Sequence, residues 1–362
     1  MSHFCQYTNS DLLAGKLSII LTLKDRSDFT IRWMTYMNDI HCPFKILIGD
    51  GGVDPLIQVH LEHYDNYPNL NYQYLRFTPD NSFRDYFMKL EKITELVTSE
   101  YLLFADNDDF YNIEYFNEYI HFLDERRDFV GIRGGTQVFW VSDRNNLALN
   151  SPVGNSYSAI DLAGTSIEND LDIERIEKFL LEIEYLDHFM NWYCISRTKN
   201  VRDTIIALNA IESLDPFIYE FMFLTILLKQ GKFKVDSKYS YFRQQGTSQA
   251  MVALKKEQPL AFRRIFLNNG FTWICDLCEI NKFYNDENEK ARILTAVSKM
   301  FEYQIIAFNR PLSYVGKVKI FLIGFPFINK LVYDIYKILR GIVGKKKFIR
   351  IPLIEDYILK RK

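Results

Sequence analysis

The sequence predicts an α/β fold in which a mostly parallel sheet is flanked by helices and followed by a mostly helical C-terminal extension. The segment Leu17–Leu23 is a short, continuously apolar run, which is typical of a strand buried on both faces of a parallel sheet. A helical pattern and a second apolar run follow within about 35 residues, and this strand–helix–strand unit implies a right-handed crossover. From about residue 250 the pattern turns helical, which predicts the extension.

The first elements are justified by local patterns. Ser27 or Asp28 can cap the first helix, whose apolar face includes Trp33 and Met37. The second strand, 44–48, runs into an Asp-Gly-Gly turn.

Later segments are assigned in the same way. We expect strands at 70–77, 100–105 and 129–140, helices at 83–98 and 113–126, two helices across 173–229, and one or two short strands within 231–248. Residues 143–172 are polar and rich in Asn, Ser and Gly, so they are expected to form a loop or flexible lid.

Bulk properties narrow the functional classes. The 362 residues have a net charge of −2, which gives no general attraction to nucleic acid. Five scattered cysteines do not form a disulfide framework, and the N-terminus lacks the pattern of a signal peptide, so a cytoplasmic location is expected. No uninterrupted apolar run reaches the roughly 18 residues that indicate a membrane-spanning helix.

The most informative segment is 100–110, where an apolar strand ends in Asp106, Asp108 and Asp109. Ligands of open α/β sheets bind at the carboxyl ends of strands, and clustered acids there repel each other unless a counter-charge is present. Carboxylate oxygens suit Mg²⁺ or Mn²⁺, which can neutralise a departing diphosphate. The alternative is a turn rich in Asp and Asn that caps the next helix.

Three motifs in this order, LSIILTLKDR, ILIGDGG and YLLFADNDD, resemble those of the inverting family-2 glycosyltransferases. The resemblance covers residues 14–245 and implies a GT-A, Rossmann-like domain. It implies a metal-dependent enzyme, using Mn²⁺ or Mg²⁺, that transfers a sugar from a nucleotide-sugar donor to an acceptor hydroxyl with inversion. A UDP-sugar is the favoured donor, and a glycan or lipid-linked glycan is the favoured acceptor.

The resemblance assigns roles to matching positions. Thr22 corresponds to the family's Thr near the nucleotide base, and Asp50 to the Asp that contacts the base. Asp106 corresponds to the first acid of the Asp-X-Asp motif, near the ribose or sugar and the metal. Asp108 corresponds to the metal ligand, and Asp109 follows it and supports the turn.

Four basic residues are candidates for the donor site where the sequence departs from the family pattern. Lys24 and Arg26 can pair with the diphosphate as charge-assisted donors, or they are ordinary loop charges. Arg84 or Lys89 substitutes for the family's Arg-Asn pair. Arg243 follows the last strand, where the family often closes a loop over the diphosphate; a plain surface Arg is the alternative.

The resemblance also implies a general base near the start of a helix, at a set distance before a Gly that precedes a strand. Counting back from Gly231 leads to Glu220, a carboxylate in an apolar helical stretch. Isolated there, it would be desolvated and its pKa raised, which suits a base; a surface Glu paired with Lys is the alternative. Asp215, which can also serve as a helix cap, is the second candidate, and Glu212 the third.

Two segments follow the catalytic domain. Residues 246–310 are predicted to be a helical appendage. Residues 311–362 repeat Lys and Arg among Phe, Ile, Leu and Tyr, which is typical of an interfacial segment on an anionic membrane surface. This places the protein peripherally on the inner face of the cytoplasmic membrane. The alternative is packing on the catalytic domain or on a second copy in a homo-oligomer.

Two other functions remain open at the level of the sequence. Sugar-nucleotidyltransferases also use a Rossmann-like sheet with metal-binding acids, but LTLKDRSDF lacks their Gly-rich loop after the first strand. A non-catalytic nucleotide-sugar-binding module would not need the intact pair Asp106 and Asp108.

Overall fold

The computed structural model describes residues 13–141, 157–162, 164–181, 189–211, 216–244 and 283–309. Within these ranges the α/β class is confirmed, because helices pack against one nine-stranded sheet. The strands are β1 (Leu17–Leu23), β2 (Lys45–Asp50), β3 (Tyr72–Arg76), β4 (Tyr101–Ala105), β5 (Phe110–Tyr111), β6 (Phe129–Val141), β7 (Tyr157–Leu162), β8 (Ile195–Arg197) and β9 (Lys232–Gln244).

The α-helices lie between these strands and after them. They are α1 (Ser27–Asp39), α2 (Pro55–Glu62), α3 (Phe83–Glu95), α4 (Phe116–Glu125), α5 (Asp172–Leu181), α6 (Thr198–Asn209), α7 (Pro216–Gln230) and α8 (Glu287–Asn309). Short 3₁₀ turns occur at Tyr64–Asn66, Ile113–Tyr115 and Phe189–Trp192.

The sheet has a parallel half and a mixed half. Its order is β3-β2-β1-β4-β8-β6-β9-β5, with β7 on β6, and the first four strands in that order are parallel. Their carboxyl ends therefore meet at one edge, where Leu23 pairs with Asp50 and Asp50 with Arg76. This is the edge at which α/β sheets bind ligands.

The other half explains why the sheet is only partly parallel. β8 pairs antiparallel with both β4 and β6, and β6 runs parallel to β9. β5 and β7 add antiparallel pairs to β9 and β6. This half brings residues from 189–244 next to the acidic turn that follows β4.

Several local predictions need correction. Strand β7 lies within the segment predicted to be a loop, 143–172, and β8 and a third helix lie within 173–229, where only two helices were predicted. β9 is one 13-residue strand rather than the one or two short strands predicted, because it pairs with β6 over its length. The predicted caps of α1 are wrong: Arg26 precedes the helix and no side chain caps it, since the Ser27 hydroxyl donates to Asp54 instead.

The described part of the predicted C-terminal extension is helical. In α8, Ile293 and Val297 are fully buried where this helix packs on α5, and Arg292 pairs with Glu177 at 2.6 Å. Residues 246–282 and the predicted membrane-binding segment 311–362 lie outside the described residues. Among the residues that are described, none belongs to a helix with the length and apolar character needed to cross a membrane.

Candidate active site

The candidate site lies at the carboxyl edge of the parallel strands. Asp50 is the last residue of β2, and Asp106 directly follows β4, one strand to the other side of β1. Apolar strands fix these positions, since β1 and β4 are buried over nearly their whole length. The acids are therefore carried on a rigid support.

The predicted acidic cluster comes together in the structure. Oxygens of Asp106, Asp108 and Asp109 all lie within 4.8 Å of one another. Burial raises the pKa of Asp106, and the neighbouring charge of Asp108 raises it further. The same two causes hold the pKa of Asp109 well above its usual range. Three carboxylates this close together are typical of a cation-binding set.

Two buried tyrosines hold the outer members of the cluster. The Tyr193 hydroxyl donates to Asp106 Oδ2 at 2.5 Å, and the Tyr241 hydroxyl donates to Asp109. The two rings stack with centroids 4.8 Å apart. The Gln244 backbone N–H also donates to Asp109, at 2.9 Å. Asp109 is therefore engaged by β9, which fits the supporting role predicted for it.

Two arginines approach Asp108 from α1 and the loop before it. Arg26 Nη2 lies 3.2 Å from Asp108 Oδ2, and Arg32 donates to the Asp108 carbonyl at 3.0 Å. Arg32 is buried between the rings of Phe29 and Phe110, and burial lowers its pKa to about 10. Arg26, predicted to pair with a diphosphate, thus contacts the predicted metal ligand in this structure.

Arg243 joins the site from β9. Its guanidinium lies 5.6 Å from the ring centroid of Tyr193. Burial would lower the pKa of Arg243, yet the surrounding tyrosines and the carboxylates Asp109 and Glu220 raise it. The structure therefore places this predicted donor-site residue among the acids rather than on an open surface.

Glu220 lies in α7, facing the same group of charges. Burial raises its pKa to about 7, the charge of Arg243 opposes the rise and that of Asp106 adds to it. The desolvation expected from the sequence is therefore found, and Glu220 is within electrostatic reach of Asp106. The other candidate bases, Asp215 and Glu212, lie outside the described residues.

Asp50 is fully buried and is occupied by internal donors. It accepts hydrogen bonds from the Tyr74 hydroxyl at 2.6 Å and the Gly52 N–H at 2.7 Å, and it pairs with Arg76. A side chain at position 52 would place its Cβ 2.5 Å from the Asp25 nitrogen, so glycine is required there. Asp50 thus organises the end of β2 and β3.

The remaining predicted residues surround this edge. Thr22, on β1, lies beside Tyr86, whose pKa is raised by burial and by the charges of Asp106 and Glu220. Lys24 donates to the Asp80 carbonyl at 2.5 Å.

Two basic residues of α3 have different positions. Lys89 is buried and paired with the Asp80 carboxylate. Arg84 is exposed in the first turn of the helix, within electrostatic reach of Tyr219. The structure therefore links Lys89, through Asp80, to the carboxyl edge.

Sequence reasoning did not identify Tyr193, Tyr241, Arg32 or Tyr86. The two stacked tyrosines come from segments whose pairing with the acidic turn depends on the order of β8 and β9 in the sheet. Arg32 could have been identified from the sequence, because it lies beside Trp33 on the face of α1 that is predicted to be buried, where a charged residue is unusual.

Comparisons with known proteins give a distant likeness. No protein-family model and no curated protein matches the chain. The crystal structure of S. aureus TarS 1–349 is 16% identical, with a TM-score of 0.45, over 82% of this chain and 73% of that one. The crystal structure of S. aureus TarS is 14% identical, with a TM-score of 0.40, over 79% of this chain and 55% of that one. S. aureus TarS 1–349 in complex with UDP-GlcNAc is 14% identical, with a TM-score of 0.40, over 82% and 94%.

Proposed function

We propose that this protein is a metal-dependent glycosyltransferase that moves a sugar from a nucleotide-sugar donor to an acceptor hydroxyl with inversion. One observation carries the proposal: three carboxylates converge at the carboxyl edge of a parallel sheet, and Glu220, whose pKa is raised to about 7, lies within electrostatic reach of Asp106. A cluster of carboxylates beside a carboxyl group whose pKa is close to 7 is typical of an active site.

The donor nucleotide is assigned to the ends of β1 and β2. Thr22, the next-to-last residue of β1, pairs with Gly49, and Asp50 is the last residue of β2, so both lie at the edge where an open α/β sheet binds a nucleotide. The Asp50 carboxylate already accepts hydrogen bonds from Tyr74 and Gly52 and pairs with Arg76. We therefore infer that Asp50 positions these three residues beside the nucleotide base. A UDP-sugar remains the favoured donor.

The acidic cluster fits a divalent cation by the chemistry of its donors. Hard cations such as Mg²⁺ and Mn²⁺ prefer carboxylate oxygens, and oxygens of three carboxylates lie within 4.8 Å of one another here. Asp106 and Asp108 would hold the ion. When bound, it would supply charge neutralisation to a departing diphosphate. Tyr193 keeps Asp106 in place for this role through its hydroxyl.

Glu220 is assigned as the general base. Its carboxylate accepts the proton of the acceptor hydroxyl while the acceptor oxygen bonds to the anomeric carbon. The bond between that carbon and the diphosphate oxygen breaks, and its electron pair leaves with the diphosphate. Attack opposite the leaving group gives inversion. A pKa of about 7 suits a base that works near neutral pH.

The ion pair of Arg26 with Asp108 is the observation that favours the non-catalytic alternative, because it already neutralises one proposed metal ligand. A sugar-nucleotidyltransferase is the other alternative. A glycan or lipid-linked glycan remains the proposed acceptor of the transferase.

A donor panel separates these functions. The protein is incubated with Mn²⁺ and UDP-, GDP-, CMP- or dTDP-sugars, and the released nucleotide is measured. Release of nucleotide from one donor supports the glycosyltransferase if the Asp108→Asn variant loses it and the Asp65→Asn variant keeps it. Asp65 serves as the control because it is exposed and is separated from the acidic cluster in the sequence. Formation of a nucleotide sugar from a sugar phosphate and NTP supports the nucleotidyltransferase. Nucleotide binding without turnover supports the binding module.

A further inference from the structure

The contact between Arg26 and Asp108 links the loop after β1 to the acidic turn after β4. The guanidinium Nη2 and the carboxylate Oδ2 are 3.2 Å apart, and the two side chains are 19% and 9% exposed. The Arg26 guanidinium also lies over the ring of Phe29, 4.1 Å from its centroid. Arg26 therefore acts as a counter-ion to Asp108, but at the surface end of the site.

The backbone that presents Arg26 is strained. Asp25 and Arg26 have φ values of 58° and 65°, a left-handed conformation that non-glycine residues rarely adopt. The conformation is held from outside, because Asp25 Oδ1 accepts the N–H groups of Val53 at 2.6 Å and Asp54 at 3.0 Å. Such strain persists only where the surroundings enforce it, and it is concentrated at functional sites.

A second arginine, Arg32, contacts the backbone carbonyl of Asp108. Arg32 is buried and donates to the Asp108 carbonyl at 3.0 Å, so it stays in place when the carboxylate changes partner. The positive charge of Arg26 is felt at Arg32, where it disfavours the charged form. Arg26 is thus the more exposed of the two arginines that contact Asp108, and the only one of these two in a recorded ion pair with its carboxylate.

We propose that Arg26 is an exchangeable counter-ion, which neutralises Asp108 in the empty site, gives way to the divalent cation and then pairs with the diphosphate of the donor. The inference rests on the proposed function. It implies that metal and donor promote each other's binding, since the metal releases the group that the diphosphate needs, and such coupling is reciprocal.

The test is direct binding of Mn²⁺, measured from the electron paramagnetic resonance signal of the free ion, with and without UDP. The full-length wild type is compared with Arg26→Gln and with Lys92→Gln, which removes one positive charge from the exposed side of α3. Without UDP, we expect Arg26→Gln to bind Mn²⁺ about tenfold more tightly than wild type, because the ion pair between Arg26 and Asp108 no longer has to be broken. Lys92→Gln should match wild type.

The second expected result concerns the pairing of Arg26 with the diphosphate after it has left Asp108. In Arg26→Gln the factor by which saturating UDP tightens Mn²⁺ binding should fall below the wild-type factor, because the diphosphate has lost its released partner. Without UDP, Arg26→Gln should tighten Mn²⁺ binding much less in the Asp108→Asn background than in the wild type, because the ion pair with the Asp108 carboxylate is already absent there. Circular dichroism establishes that each variant is folded.

The outcomes separate the inference from the function on which it rests. Equal, measurable Mn²⁺ affinities in wild type and Arg26→Gln would overturn the exchange and leave the metal site standing. If saturating UDP tightens Mn²⁺ binding by the same factor in wild type and in Arg26→Gln, the proposed pairing of Arg26 with the diphosphate is contradicted. If neither protein binds Mn²⁺, with or without UDP, the proposed metal site fails and the exchange with it. If Mn²⁺ binds as expected but the protein transfers sugar from none of the donors, the exchange of Arg26 is supported and the transferase function is contradicted.

Discussion

Glu220 illustrates what one carboxyl group gains and loses by its position. It lies in α7, a helix composed mostly of apolar residues, and burial outweighs the stabilising charge of Arg243, so that its pKa rises to about 7. A base with this pKa exchanges protons near neutral pH. The same burial makes the ionised form unfavourable in the folded chain, so activity and stability place opposite demands on this residue.

The predicted pH dependence follows from that shift. If Glu220 is the base, kcat/KM should fall about tenfold per pH unit below pH 7 and level off above it. Its folded-state pKa lies above the usual 4.5, so its contribution to stability is present below about pH 4.5 and lost as pH rises through about 7. Ionised Glu220 should therefore cost about 3 kcal/mol at pH 8.

Glu220→Gln tests both effects in one variant. It should lower turnover by about 10²- to 10⁴-fold and raise the melting temperature at pH 8, with little change in stability near pH 4.5. Thermal melts and donor-hydrolysis rates are compared with those of Glu95→Gln, an exposed position on α3. Full activity, or the same melting shift at both pH values, would contradict the assignment.

The sequence predicted those site residues whose role follows from their own strand. Asp50 and Asp106 each end or follow an apolar run, and parallel pairing puts such ends at one edge. Tyr193 and Tyr241 could not be predicted in this way, because their contacts with Asp106 and Asp109 connect segments separated by 87 and 132 positions. Only the tertiary order of strands brings them together.

At the scale of elements, α3 is tied to the site by a buried ion pair. Ser82 and Asp85 form a capping box at its N-terminus. Further along, Lys89 donates to the Leu23 carbonyl at 3.0 Å and pairs with the Asp80 carboxylate. Both members of the pair are nearly inaccessible, with side chains 2% and 3% exposed, and burial lowers the pKa of Lys89. The pair fixes the end of β1 against the turn that precedes α3.

Removing one partner should be costly. Lys89→Met leaves the Asp80 carboxylate buried without its cation, so we expect a loss of about 3–5 kcal/mol in the free energy of unfolding. Adding Asp80→Asn should restore part of it, because no buried charge then remains. Denaturant titrations of both variants, with Lys92→Met as the exposed control, measure this. The single variant Asp80→Asn completes the cycle, and a double variant whose loss equals the sum of the two single losses would show that the two side chains do not interact.

The elements missed from the sequence are those without a strong local signal. β8 has three residues, and β5 has two, so neither is long enough to show a periodic pattern. β7 lies in a polar segment where Asn, Ser and Gly favoured a loop. Each forms because a longer neighbour, β6 or β9, offers an edge with which to pair.

At the scale of the whole molecule, the parallel half of the sheet was predictable and the mixed half was not. β1, α1 and β2 form one local unit, whose handedness and strand direction follow from general rules. The insertion of β8 between β4 and β6 depends on contacts between segments that are distant in sequence, where Cys194 and Ile195 are buried, and not on a local motif. The site lies where the two halves meet.

The last prediction concerns the chain after α8. Residues 311–362 alternate Lys or Arg with large apolar residues, and we predict that they bind an anionic membrane surface. A chain that ends at 310 keeps α8, in which Ile293 and Val297 are buried and which packs on α5. The full chain should therefore pellet with vesicles containing phosphatidylglycerol, and the truncated chain should stay in the supernatant.

Two controls make the comparison specific. Binding of the full chain should weaken in vesicles of phosphatidylcholine alone and at high salt, since basic residues near a charged surface contribute about 1 kcal/mol each and are screened within a Debye length. Replacing Lys345, Lys346 and Lys347 by Gln should lower the bound fraction, because three of the segment's charges are removed. Equal pelleting of the full and truncated chains would reject the membrane assignment and favour packing of 311–362 against protein.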